Sequence, residues 1–356
     1  MPNLREIARA TGLTATAVSM ALRNAPGVSE ATRRRVREIA EKMGYRPNPL
    51  VTSLMQHIRS GRETKEHGCI AILVNRESKE DWLSRPSDAA FRQHYEGYQR
   101  QATLRGYRTE CFFLKAPGMS AEIIDRRLYS RGIAGMILAA PRGGALSSTH
   151  AMHWERYALS TISYSWITPP IDRVSSHHRH TVERAYTEVY RRGYRRIGLC
   201  LPEVAINGVD SNWMAGYLVS QIRIPGAVRI PPFAGNVHET PLKTFRVWHD
   251  RWRPDVLLTL LGEEEQWTRA LGLAIPDDLA LVCLNRPPDS SLAGIDENNV
   301  VVGATACDLV VNQLTHNERG PPSHPKTILI DGNWHDGWSL PSEKKKSRRP
   351  RPLNRP

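Results

Sequence analysis

Residues 4–22, LREIARATGLTATAVSMAL, and residues 28–44, VSEATRRRVREIAEKMG, decide how this chain begins. Leu4, Ile7 and Ala8 recur at helical spacing against a charged opposite face. Gly12 stops that helix, and Thr14 is a suitable N-cap for a second one over TATAVSMALRN. Two short helices joined by a three-residue turn containing glycine form the helix-turn-helix signature. A third helix opens at Val28-Ser29-Glu30-Ala31-Thr32 with Ser29 as its N-cap. Val36, Ile39, Ala40 and Met43 face the core, and Gly44 ends it. Pattern alone leaves two readings, a packing module or a DNA-binding head.

The next segment separates them. Tyr45-Arg46-Pro47-Asn48-Pro49-Leu50 leads into VTSLMQHIRSG. Asn48 is an N-cap, Pro49 takes the first helical position, where its missing N–H costs nothing, and Gly61 lies past the end. About eleven residues are too few to stay helical alone in water. This helix therefore needs a partner, and Leu50, Val51, Leu54, Met55 and Ile58 form one side of a short seam.

From Leu4 to Met55, LREIARATGLTATAVSMALRNAPGVSEATRRRVREIAEKMGYRPNPLVTSLM resembles without a break the headpiece and hinge of the LacI (lactose and purine repressor) family of bacterial transcription regulators. The resemblance implies that the second helix enters the major groove. It also implies that the hinge helices of two subunits pair on DNA and wedge a leucine into the central minor-groove step. Carried over by position, the wedge falls on Leu54, the base-reading positions on Ala15, Thr16 and Met20, and the phosphate contacts on Thr14, Ser19, Arg23, Ser29 and Thr32. Hydroxyls and an arginine around helix N-termini suit phosphate oxygens, and an inserted leucine bends the duplex. Ala15 and Met20 depart from the family's usual polar residues. Neither side chain can make a bidentate hydrogen bond to a purine, which leaves contact with thymine methyls.

The charge distribution agrees. Of a net +13, residues 1–62 carry +7 and residues 343–356 carry +6, so the 280 residues between them are neutral. A neutral body with a basic head and tail is the electrostatic footprint of a polyanion partner. The basic tail read by itself is equally well a solubility feature.

Beyond residue 68, strands and helices alternate. CIAILVN, TECFFL, AGMILAAP, YALSTISY, RRIGLCLP, PDVLLTLL and DLALVCLN read as strands. AAFRQHYEGYQRQATLRGY, SAEIIDRRLYSRG, HTVERAYTEVYRRGY, SNWMAGYLVSQI and EEEQWTRALGL read as helices. LIDGNWHDGWSL reads as a closing strand and turn. Alternation implies parallel sheets covered on both faces, and about 270 residues suggests two lobes with a cleft between them. The phrases RGIAGMILA, RRGYRRIGLCLP and AIPDDLALVCLN resemble the family's effector domain, which shares its fold with periplasmic sugar-binding proteins. The expected fold class is thus α/β: a three-helix helix-turn-helix headpiece at 1–46, a hinge helix at 47–61, a two-lobed, periplasmic-binding-protein-like effector and dimerisation domain at 62–340, and a basic disordered tail at 341–356.

The effector positions implied by the resemblance are Asn75, His177, Trp213 and Asn285. They depart from the family pattern. Trp213 stands where an arginine is expected three residues before Gly216, and Leu261-Gly262 replaces an Asn-Asp pair. Asn285 replaces an acid, and His177-His178 replaces Asp-Asn. The polar clamp for sugar hydroxyls is therefore largely missing. Trp213 reads either as a stacking platform or as a helix-face packing residue.

Five scattered cysteines without a C-x-x-C pair argue against a disulfide scaffold or zinc ribbon and fit a reducing compartment. MPNLREIARA has an acid and no apolar core, so no signal peptide is expected, and no apolar run reaches the ~18 residues of a membrane helix. A cytoplasmic location follows as the expectation. His177-His178-Arg179-His180 lacks a nearby cysteine or carboxylate at metal spacing and reads as a polar loop. There is no H-E-x-x-H, G-x-S-x-G, P-loop or strand-linked G-x-G-x-x-G, hence no expected enzyme activity, cofactor or metal. The expected function is a repressor that binds a pseudo-palindromic double-stranded DNA operator as a homodimer; the resemblance implies control by a small-molecule effector, a sugar or related metabolite, whereas the altered pocket residues read as either a less polar, stacking ligand or no effector at all. The competing class is a solute-binding or enzymatic α/β protein with an incidental basic head.

Overall fold

The computed structural model describes residues 4–22, 27–43, 68–141, 152–235, 241–260 and 264–342. Three helices open the chain: α1 (Leu4–Thr11), α2 (Ala15–Leu22) and α3 (Glu30–Lys42). Gly12 at φ 67 reverses the chain after α1, a conformation that glycine adopts without penalty. The Leu13 N–H then donates to Ala8 O at 3.0 Å and closes the turn. Ile7, Ala8, Val18, Ala21, Val36 and Ala40 form the core of this unit. Three of those six are alanines, so the core is small, and a domain of this size is marginal by itself.

The remainder holds two sheets of the same topology. The first contains β1 (Gly68–Val74), β2 (Tyr107–Phe113), β3 (Gly135–Leu138), β4 (Ala158–Ile162), β5 (Arg173–Ser176) and, from far along the chain, β11 (Thr327–Ile330), in the order β11-β5-β4-β3-β1-β2. Helices α4 (Lys79–Leu83), α5 (Ala89–Leu104) and α6 (Ala121–Ser130) connect the early strands. β1 shows why both sheet faces must be covered. Ile70, Ile72 and Val74 enter one core, with Tyr98, Ala102, Val302 and Val310, while Ala71 and Leu73 enter another, with Ile124, Leu128 and Trp166.

The second sheet contains β6 (Ile197–Pro202), β7 (Phe233–Gly235), β8 (Val256–Thr259), β9 (Ala280–Cys283), β10 (Gly294–Asp296) and β12 (Asn333–His335), ordered β12-β10-β9-β8-β6-β7. Helices α7 (His178–Arg191), α8 (Glu203–Gly208), α9 (Asn212–Arg223), α10 (Pro241–Trp252) and α11 (Glu264–Ala270) belong to this lobe. Among the described strands every pair is parallel except β10 with β12, and the closing strand expected in LIDGNWHDGWSL is this antiparallel edge.

The chain passes between the lobes three times: from β5 into α7, from β10 into α12 (Asn299–His316), and from β11 to β12. α12 returns to lobe 1 and crosses α5 at two facing glycines. A Cβ on Gly97 would lie 2.2 Å from Val300 O, and one on Gly303 would lie 2.2 Å from His94 O. Only glycine lets the two backbones approach this closely. The sequence reading assigned no helix to 299–316, although it is the longest of the described helices.

Candidate nucleic-acid interface and effector cleft

In the headpiece, the caps fix which hydroxyls face outward. Thr14 Oγ1 accepts the Ala17 N–H at 3.1 Å at the N-terminus of α2. Ser29 Oγ accepts the Thr32 N–H at 3.3 Å and lies 2.8 Å from Thr32 Oγ1 at the N-terminus of α3. Each site combines unpaired helix N–H groups, a dipole favouring anions and exposed hydroxyls, which is the chemistry of a phosphate contact. Because Val18 and Ala21 are fully buried, the opposite side of α2 is turned out and Thr16 is exposed. Ala15 is partly committed to the core, and Met20 is half-buried with its methyl beside the position a Gly27 Cβ would take, 3.9 Å away. Arg23, Leu54 and the side chain of Ser19 lie outside the described residues.

In sheets of this order, ligands gather outside the carboxyl ends of the strands near the point where strand order reverses. In lobe 1, that point is the end of β1, where Asn75 is half-buried. In lobe 2, Asn285 follows β9, and its Oδ1 accepts a 2.7 Å hydrogen bond from Asn299 Nδ2. The same amide donates to Gln93 Oε1 at 2.8 Å. Asn299 thereby joins a residue of α5 in lobe 1 to a strand end of lobe 2. Ser163 and Ser165 add a second tie, both hydroxyls donating to Gly208 O at 3.0 Å. Burial pushes the nearby His94 imidazole down to about 4, against the opposing pull of its hydrogen bond with the Asn299 side chain.

Trp213 occupies a constrained place. A Cβ on Gly216 would sit 2.5 Å from Arg179 O, so α9 runs close against the first turn of α7. Three residues earlier, this brings Trp213 edge-on to His178, with ring centroids 4.7 Å apart. Trp213 is 4% exposed and belongs to the lobe 2 core, yet its Nε1 has no hydrogen-bond partner among the described residues. His178 Nδ1 meets Glu297 Oε1 at 2.9 Å, and Thr181 Oγ1 donates to the same oxygen at 2.9 Å. Glu297 is fully buried and its second oxygen, Oε2, has no described partner. Buried polar atoms left in this state cost about 1–3 kcal/mol each, and they mark where a water or ligand group would be held.

His177 points elsewhere. Its Nδ1 lies 2.9 Å from Asp331 Oδ1, and His180 Nδ1 reaches the same oxygen at 2.8 Å. These hydrogen bonds hold the Asp331 carboxyl below its ordinary range. Two expectations are corrected here. The histidines are not a loop, because α7 begins at His178, and the carboxylate absent from the local sequence is supplied by the third crossover, some 150 residues later. Glu297, Gln93, Asn299 and Asp331 were not foreseen. The polar run Asp296-Glu297-Asn298-Asn299 at a strand end was the available signal. Leu261 and Gly262 lie outside the described residues.

The family model described as "Bacterial regulatory proteins, lacI family" matches residues 3–48. Residues 3–48 are thus similar to the DNA-binding headpiece of the LacI family of transcriptional regulators. In fold, the chain is also similar to solved regulators over most of its length. A CelR–cellobiose complex aligns at 15% identity and TM-score 0.56, covering 95% of this chain and 100% of that one. The lac repressor dimer bound to operator and the anti-inducer ONPF aligns at 16% and 0.56, covering 95% and 99%. A regulator from Enterococcus faecium with bound ribose aligns at 13% and 0.56, covering 78% and 100%. No curated protein matches the chain. Among the described residues, no helix is long and apolar enough to cross a membrane.

Proposed function

We propose that the whole chain is a LacI-family regulator, a cytoplasmic repressor that binds a pseudo-palindromic operator as a homodimer, with a headpiece at 1–46, a hinge at 47–61, a body at 62–340 and a basic tail at 341–356. Thr16, Met20 and Ala15 meet base edges. Thr14, Ser19, Arg23, Ser29 and Thr32 hold phosphates, and Leu54 wedges the minor groove. The observation that carries this reading is the pair of capped helix N-termini, Thr14 on α2 and Ser29–Thr32 on α3, held on one small core with their hydroxyls exposed. A dimer follows because one such head reads only a half-site.

The effector is proposed to enter the cleft at Asn75, Trp213 and Asn285. His178 takes the part that the sequence reading gave to His177, because His178 is the histidine against Trp213. A ligand there would offer a donor to Glu297 Oε2 and an acceptor to Trp213 Nε1, both of which lack partners among the described residues. With no arginine at position 213, a simple hexose has a poor match for its hydroxyls. Relatives crystallised with cellobiose and ribose make sugars the comparison to beat.

Selection of operator sequences from a random DNA library, followed by anisotropy titration with full-length protein, tests the central reading. A two-fold symmetric consensus bound at least 1,000-fold more tightly than random DNA, in the range of specific regulators, is the expected result. Recovery of no consensus would overturn it. Leu54→Ala should reduce operator bending in a circular-permutation assay while leaving the circular dichroism spectrum unchanged.

A further inference from the structure

We propose that His177, His180 and Asp331 form a binding site for a divalent transition-metal ion of the zinc class, placed at the crossovers between the lobes rather than in the cleft. Residues 177 and 180 are three apart and share one side of the α7 N-terminus, while 178 and 181 share the adjoining side. The second pair is turned inward to Glu297. The first pair is turned to Asp331 and is accessible to solvent.

One donor atom from each of the three residues falls within 4.8 Å of the others. Imidazole nitrogen and carboxylate oxygen bind zinc at about 2.0–2.2 Å in a tetrahedral shell, which sets neighbouring donors roughly 3.3–3.5 Å apart. Asp331 Oδ1 is now 2.9 and 2.8 Å from the two Nδ1 atoms. Admitting an ion requires each hydrogen bond to open by only about 0.5 Å, within reach of small side-chain rotations. Three protein donors leave the fourth position to water.

The backbone carrying these donors is already held in place. The His177 N–H donates to Ile330 O at 2.8 Å, and Asn298 Nδ2 donates to Asp331 O at 2.7 Å. Arg184 Nη1 donates to Gly332 O at 2.7 Å. A side chain at Gly332 would collide with Ile295, 2.4 Å away, so the crossovers are in close contact. Arg184 lies one turn beyond His180 and brings a positive charge that opposes a cation. Asp331, whose carboxylate is anionic, offsets it.

The consequence is regulatory. β11 ends in lobe 1 at Ile330, β12 begins in lobe 2 at Asn333, and α7 starts lobe 2 at His178. An ion shared by His177, His180 and Asp331 would therefore clamp two of the three crossovers and stabilise the lobe arrangement it binds. By linkage, an ion that binds one arrangement better also shifts operator affinity.

The test uses untagged full-length protein stripped with EDTA and titrated with Co2+, whose visible bands report four-coordinate nitrogen and oxygen ligation, followed by competition with Zn2+. One ion per chain is expected, with Zn2+ displacing Co2+. Affinity should fall at least about 100-fold in His177→Ala/His180→Ala and in Asp331→Ala, and remain unchanged in His324→Ala. Operator anisotropy measured with Zn2+ and with EDTA should differ in the parent and coincide in both the His177→Ala/His180→Ala and the Asp331→Ala variants. Absence of saturable binding would overturn the proposal and leave Asp331 as a hydrogen-bonded latch only. Binding that survives both triad variants with retained circular dichroism would overturn it too.

Discussion

A methyl group added at Gly303 has no space to occupy. It would lie 2.2 Å from His94 O and 2.9 Å from His94 C, and both are backbone atoms that cannot swing aside. Carbon contacts settle near 3.5–4.0 Å, so α12 would have to withdraw from α5 by about 1 Å. Overpacking of this kind costs about 1–3 kcal/mol, and a backbone collision belongs at the upper end. Alanine returns about 1 kcal/mol of helix propensity over glycine. Gly303→Ala should therefore destabilise lobe 1 by about 2 kcal/mol, and Gly97→Ala by a similar amount. A Cβ on Gly97 would also lie 3.0 Å from Gly303 Cα, so one separation of the helices relieves both collisions. The double variant should cost clearly less than the sum of the singles. The displacement is also felt at the cleft, because Asn299, one turn before Gly303, holds both Gln93 and Asn285. Urea unfolding followed by tryptophan fluorescence and far-ultraviolet circular dichroism measures the loss, and operator anisotropy measures its transmission. A Gly303→Ala protein that unfolds at the parental urea concentration, or a strictly additive double variant, would refute the reasoning.

Three further outcomes are expected. His94 has a folded-state pKa near 4 against an ordinary 6.5, so the unfolded chain takes up a proton before the native state does. Its contribution is complete above pH 6.5 and is lost as pH falls toward 4, by at most about 3 kcal/mol; His94→Gln should flatten stability over that window in pH-dependent urea titrations. Deleting residues 343–356 should lessen the salt dependence of DNA binding by about 0.9 in the log–log slope for each phosphate the tail neutralises, and an identical slope would assign the tail to solubility alone. Met20→Arg should shift the selected operator toward guanine at one position of each half-site, and an unchanged consensus would mean that residue 20 does not face the groove.

How much was legible depended on whether the information was local. Thr14, Ser29 and Gly12 act on neighbours within a few residues, and the caps and turn they predict are present. β1 was readable because a strand buried on both faces is an unbroken apolar run. α12 failed for a related reason: NVVVGATACDLVVNQL is apolar around most of its circumference and rich in β-branched valine, so it shows no helical stripe. The chemistry at the lobe crossovers was illegible because its partners are remote in sequence. His178 finds Glu297 only where the chain is about to return to lobe 1, and His177 and His180 find Asp331 only where it crosses to lobe 2 again.

Those three crossings also bear on the order in which the protein can be made. Lobe 1 begins at residue 68, but the helix that covers one face of its sheet is α12 at 299–316, and its edge strand β11 ends at Ile330. A ribosome that has finished β5 must add all of 177–298 before α12 can reach α5. At about 5–20 residues per second, that is a wait of roughly 6–25 seconds, during which Ile70, Ile72 and Val74 have no cover from Val302, Ala306 and Val310. The first lobe to start thus waits for nearly the whole chain before it can close. A newborn chain passes through a stage in which its most apolar strand is open to chaperones or to another nascent copy, and codon changes that slow translation between residues 177 and 298 would lengthen that exposure.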